Sequence, residues 1–176
     1  KYYLGAQWVR NYSDSNKTLQ STFENQPTTA EQVLHGFAPG SEPPRNLTVH
    51  GEGGDIAGFD RASPERRGEA ELRFLLEYGL SRERAERAAA GWGNDRWLRF
   101  SNASADGYAW VVRWDSASEA REFESLFADY RANVSEPVAL RSVGDETTVI
   151  LSGNAAFVRN ATVSGTAANV TVAGGD

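Results

Sequence analysis

Cysteine and methionine are both absent from the 176 residues, histidine occurs twice, and lysine only as Lys1 and Lys17. Without cysteine there is no disulfide, no thiolate metal ligand and no thiol nucleophile. That absence leaves the compartment open, because many exported prokaryotic proteins also lack disulfides. No apolar run approaches the roughly 18 to 20 residues that a membrane span needs. The opening residues, KYYLGAQWVR, lack the long apolar core of a signal peptide. A chain that starts at KYYLG without an initiator reads as a processed product or as part of a longer one.

Positive charge is also scarce. The formal net charge is -6, and 16 of the 18 basic residues are arginine. An acidic chain of this kind is a poor partner for nucleic acid, whose phosphates demand clustered positive charge. The skew toward arginine points to a GC-rich or salt-adapted source. Hydrophobic residues make up 40% of the chain, enough for it to bury a core of its own.

Asparagine carries the strongest compositional signal. Seven of the ten asparagines begin an N-x-S/T sequon: Asn11, Asn16, Asn46, Asn102, Asn133, Asn160 and Asn169. One sequon is a weak pattern, but seven in a chain of this length point to an exported, surface-displayed glycoprotein carrying N-linked glycans. Several of them fall where loops are expected, in NAS before Asp106-Gly107, in NVS after a helix and in NLT after a proline pair.

Periodicity divides the chain into a helical segment over 1–36, an extended Pro/Gly-rich linker over 37–62 and an α+β domain over 63–176. The first segment reads as two short helices, with Leu4, Trp8 and Tyr12 on one face, followed by a helix over 29–35. These helices resemble the end of a larger helical domain. Their apolar faces call for a partner, either the N-terminal part of the same precursor or neighbouring copies in a homo-oligomer or filament.

In the α+β domain, Ser63 and Pro64 are placed to start a helix over 64–78, and Ser81 to cap a second over 82–90. Residues 95–101 and 107–115 alternate as a β-hairpin, with Tyr108, Trp110, Val112 and Trp114 on one face. Ser116 and Glu119 form a capping box before a helix whose stripe is Ala120, Phe123, Phe127 and Tyr130. A strand over 147–152, a short helix in NAAFVRN and short strands in ATVSG and NVTVA complete the set. The expected fold is a helical N-terminal segment followed by an antiparallel sheet with helices packed on one face.

Candidate chemistry is sparse. Glu31 and His35 stand one helical turn apart, the spacing of two ligands of one metal. A capping box from Thr28 to Glu31 and a histidine in the last turn before Gly36 account for both residues without a metal. The only other histidine is His50, and no HExxH is present, so no zinc ligand set can be assembled. Glu52, Asp55 and Asp60 lack the regular spacing of a calcium loop. In GWGND, Gly91 reads as a helix stop, Trp92 as core, and Gly93 with Asn94 as a turn. The five tryptophans could form a sugar-stacking platform, but alternation favours their burial.

Four motifs in order, LGAQWV, PTTAEQVLH, GWGNDR and VVRWDSASEAREF, resemble haloarchaeal cell-surface proteins and related bacterial secreted proteins over about residues 2–130. In that family the segment lies C-terminal to a gluzincin-like metallopeptidase domain. The resemblance implies that the HExxH helix and the zinc would precede residue 1, so this chain holds no catalytic residue and no cofactor of its own. Glu31 and His35 match its EQ-x-LH element and are implied as accessories to that site, although Gly36 stands where bacterial members have proline. The expected function is thus a non-catalytic C-terminal portion of a secreted, glycosylated surface protein. The alternative is the C-terminal half of a zinc metallopeptidase.

Overall fold

The computed structural model describes residues 2–13, 19–52, 60–61, 64–101 and 105–173. Its first helices are α1 (Tyr2–Ser13), α2 (Leu19–Glu24) and α3 (Ala30–His35). Strands β1 (Thr48–Glu52) and β2 (Asp60–Arg61) follow, then helices α4 (Glu69–Leu76) and α5 (Arg82–Ala89). The long hairpin is β3 (Trp92–Ser101) and β4 (Asp106–Trp114), succeeded by α6 (Ala117–Asn133). Strands β5 (Val138–Ser142) and β6 (Thr147–Gly153), helix α7 (Ala155–Asn160) and strands β7 (Thr162–Thr166) and β8 (Asn169–Ala173) close the chain.

The fold is α+β, built on a five-stranded antiparallel sheet in the order β2-β3-β4-β6-β5. Period-two alternation along β4 sends Trp110, Val112 and Trp114 to one face and Ala109 and Val111 to the other, and all five are buried. On the first face they meet Leu72 and Leu76 of α4, the alanines of α5, and Ala120, Phe123, Phe127 and Tyr130 of α6. This is the helical layer that the periodicity implies. Its third helix starts as expected, with Ser116 Oγ accepting from the Glu119 N–H while donating to the Glu119 carboxylate at 2.9 Å.

The opposite face is covered as well. There Leu98, Phe100, Ala109, Val111, Val149 and Leu151 pack against Phe157 and Val158 of α7 and against Val170 and Val172 of β8. Strand β8 belongs to a second, three-stranded sheet in the order β1-β8-β7, with β1 running parallel to β8 and β7 antiparallel to it. Of the expected linker over 37–62, residues 48–52 serve as β1 and are thereby built into the second sheet, and residues 60–61 pair with β3 as β2.

Two boundaries differ from expectation. The helix expected over 64–78 begins only at Glu69, because Glu65 pairs with Trp97 through both backbone groups, N–H to carbonyl at 2.9 and 2.7 Å. Ser63, the expected cap, lies outside the described residues. Gly93 and Asn94 do not make a turn but enter β3 as a bulge against β4. Trp92, as expected, is core.

The N-terminal helices dock through one described tryptophan. Trp8 is buried and its Nε1–H donates to the Phe37 carbonyl at 3.2 Å, tying α1 to the end of α3. Leu4 and Tyr12, its expected companions, fall outside the described side chains. Among the described residues no helix is long and apolar enough to cross a membrane.

Candidate functional site

Helix α3 is capped by Thr29 and not by Thr28. The Thr29 hydroxyl accepts from the Gln32 N–H at 3.3 Å, and Gln32 Oε1 accepts from the Thr28 N–H at 2.8 Å. Gln32 is held in place because its Nε2 also donates to the Ser41 carbonyl at 2.6 Å. The capping pair therefore sits one residue later than expected, and Glu31 has no part in it. Gly36 closes the helix in the left-handed region at φ 69°, as its position before the extended segment implies.

Released from capping, Glu31 faces inward and is only 5% exposed. His35, one turn on, places Nε2 at 3.0 and 3.2 Å from the two carboxylate oxygens of Glu69, and its ring stacks on Phe37. Glu69 is fully buried as the first residue of α4. Its place is set from below. The Asp95 carboxylate, also fully buried, accepts from the Arg67 and Gly68 N–H groups at 2.9 and 3.0 Å and from Trp110 Nε1–H at 2.7 Å. These bonds hold the turn that delivers Glu69 to His35.

The GWGND segment also admits two further acids. A Cβ on Gly91 would stand 2.4 Å from Glu119 Cβ, and one on Gly93 would stand 2.6 Å from Asp115 Oδ1, so only glycine lets these side chains approach. Arg45 bonds the Asp115 carbonyl and pairs with Glu146 at 2.8 Å, fixing the strap of residues 44–48 across the strand end.

Electrostatics follow from this crowding. Burial, then Asp115 and Glu69, raise the Glu31 carboxyl to about 7, with His35 opposing. Asp115 is raised to about 6 by desolvation first and by Glu119 next. The hydrogen bond that His35 donates to Glu69 raises its pKa above the ordinary value, against the effect of burial. Burial raises Asp95, opposed by the three N–H donors. Glu31 and Asp115 are thus both shifted from the ordinary carboxyl range toward neutrality. Among the described residues no group of three or more His, Asp or Glu side chains is arranged to hold a metal ion.

His50 lies apart, exposed on β1. The side chains of Glu52, Asp55 and Asp60 fall outside the described residues. The tryptophans do not make a sugar platform, since Trp8, Trp92, Trp110 and Trp114 are buried and Trp97 stacks on Tyr108 and carries the Arg67 guanidinium over its ring.

Of the sequons, Asn46, Asn133, Asn160 and Asn169 are all exposed. Among the remaining asparagines, Asn94 is buried and holds the Arg45 carbonyl, and Asn154 caps α7. Asn11, Asn16 and Asn102 lie outside the described side chains.

Residues 57–176 match the family model described as Domain of unknown function (DUF8575). The chain belongs to the DUF8575 family. Comparison with curated proteins and with solved structures finds no match. The DUF8575 match includes Glu69, Asp95, Asp115 and the motifs GWGNDR and VVRWD, while LGAQWV, PTTAEQVLH and β1 precede it. The contact between His35 and Glu69 therefore joins the preceding segment to the DUF8575 domain. Sequence reasoning missed Glu69, Asp95 and Asp115. No local signal pointed to Asp95, because the N–H groups it accepts from belong to Arg67 and Gly68, 28 and 27 residues earlier in the chain.

Proposed function

We propose that this chain is the non-catalytic C-terminal portion of a secreted, N-glycosylated archaeal cell-surface protein that acts in envelope packing, adhesion or extracellular assembly, including filament formation. The observation that carries this reading is that the four described sequon asparagines, Asn46, Asn133, Asn160 and Asn169, are all exposed, Asn133 while also donating to the Gly79 carbonyl at 2.9 Å. Accessible sequon nitrogens are what glycan transfer requires.

An apolar surface supports the assembly part. Tyr78, 83% exposed, and Leu75 line a cavity of about 430 Å3 together with Tyr108, Tyr130 and Val138, and Phe74 is exposed nearby. Exposed aromatic surface of this kind is suited to contact with another protein. The partners in this reading are the upstream part of the same precursor or neighbouring copies.

One observation favours a second reading, the C-terminal half of a secreted zinc metallopeptidase. His35 is oriented by a buried carboxylate, as an accessory that steadies a developing oxyanion would need to be. Zinc and its ligands would then belong to an upstream domain.

Two experiments test the first reading. Impermeant labelling of intact cells should tag the protein, and labelling only after lysis would contradict a surface location. Peptide cleavage by this chain with added zinc, lost in His35→Ala, would overturn the non-catalytic reading.

A further inference from the structure

A cavity of about 590 Å3 lies on the other side of the strap, lined by residues 44–48 together with Arg66, Asn94, Arg96 and Ala168. Three arginines reach it, in different states. The charge of Arg45 is taken by Glu146 at 2.8 Å. Arg66 and Arg96, by contrast, have no carboxylate within 4.0 Å among the described residues, in a chain of net charge -6. Among the described residues Arg96 bonds only neutral oxygens, the side chain of Asn94 at 3.2 Å and the Asp95 carbonyl at 2.7 Å, which fix its guanidinium. The nearby Asp95 carboxylate is occupied by the Arg67, Gly68 and Trp110 N–H donors. Burial and then the neighbouring Arg66 disfavour the charge on Arg96, with Asp95 opposing them, and an anion between the two guanidiniums would ease their mutual repulsion.

We propose that this cavity binds a phosphate or sulfate monoester, with the oxyanion held between Arg66 and Arg96. Guanidinium forks match tetrahedral oxyanions bidentately. The volume falls within the roughly 300–1,000 Å3 of small-molecule sites, which is more than a bare ion fills. Pro44 and Leu47 supply the apolar wall that an organic ester group would meet. The assignment stands independently of whether the chain is glycosylated.

Calorimetric titration of the whole chain at low ionic strength tests it, with glucose 6-phosphate, glucose 6-sulfate, inorganic phosphate, inorganic sulfate and glucose as probes. At least one of the two esters should bind at a single site and more tightly than its inorganic ion, and the stronger of the two identifies the source. Arg66→Gln and Arg96→Gln should each weaken it about tenfold, the loss expected for one charge-assisted bond, while Arg121→Gln on the outer face of α6 leaves it unchanged. Arg66 is exposed, so its variant keeps the fold and its result stands even if Arg96→Gln unfolds. Absence of saturable binding, equal binding of glucose or of the inorganic ions, or an equal loss in Arg121→Gln would overturn the proposal.

Discussion

Nε2 of His35 stands 3.0 Å from Oε2 of Glu69, joining an imidazole that is 32% exposed to a carboxylate that is fully buried. The half-open histidine reaches the buried carboxylate from the solvent side. Because Glu69 raises His35, the pair stabilises the fold fully below the ordinary histidine value of 6.5. That contribution fades as pH rises through the higher folded value. His35→Gln should therefore cost about 1–3 kcal/mol at pH 5 and less at pH 8, in chemical denaturation read at both. NMR titration should place His35 above 6.5 and Glu69→Gln should bring it back down. A His35 value at or below 6.5 in the parent chain would contradict the pairing.

Glu31 works in the same pH direction through a different cause. Its carboxyl is raised from 4.5 to about 7, chiefly by burial, so the folded state holds a proton that the unfolded chain has released. Stability contributed by that proton is complete below about 4.5 and declines as pH rises to about 7. Glu31→Gln should thus be close to neutral at pH 4 and stabilising at pH 8, by up to about 3 kcal/mol. Thermal melts across that range check it, and a variant less stable than the parent at pH 8 would count against the buried carboxyl with a raised pKa.

Asp95 should be the most sensitive site in the chain. Asp95→Ala leaves the Arg67 and Gly68 N–H groups and Trp110 Nε1–H buried without an acceptor, at about 1–3 kcal/mol for each. A loss of at least ~3 kcal/mol is expected, together with faster amide exchange at Arg67 and Gly68 than at Val111 in the sheet centre. Uniform loss of protection with no local excess would show that Asp95 supports the fold in general and not this turn.

Local signals were legible in the sequence where a single element decides its own end. Ser116 with Glu119 and Ser81 are caps in the structure because each needs only its own first turn. Thr28 and Thr29 are chemically equivalent candidates, and the choice between them rests on Gln32 being pinned to the Ser41 carbonyl, a contact outside the helix. Strand β1 was hidden among prolines and glycines, since its partner β8 lies at the far end of the chain. Strand β5, VALRS, is short and has little alternation, and it is completed by pairing with β6. For the candidate site, Glu31 and His35 were visible as an i, i+4 pair, but Glu69 comes from another helix 34 residues beyond His35. Its position depends on Asp95 in a third element.

The central claim, a glycosylated surface protein, rests on sequons whose asparagines are open to solvent. Site-resolved glycopeptide mass spectrometry of material from the native source tests it most directly. The account predicts glycan mass on peptides containing the exposed Asn46, Asn133, Asn160 and Asn169. Unmodified peptides at all four positions would contradict it.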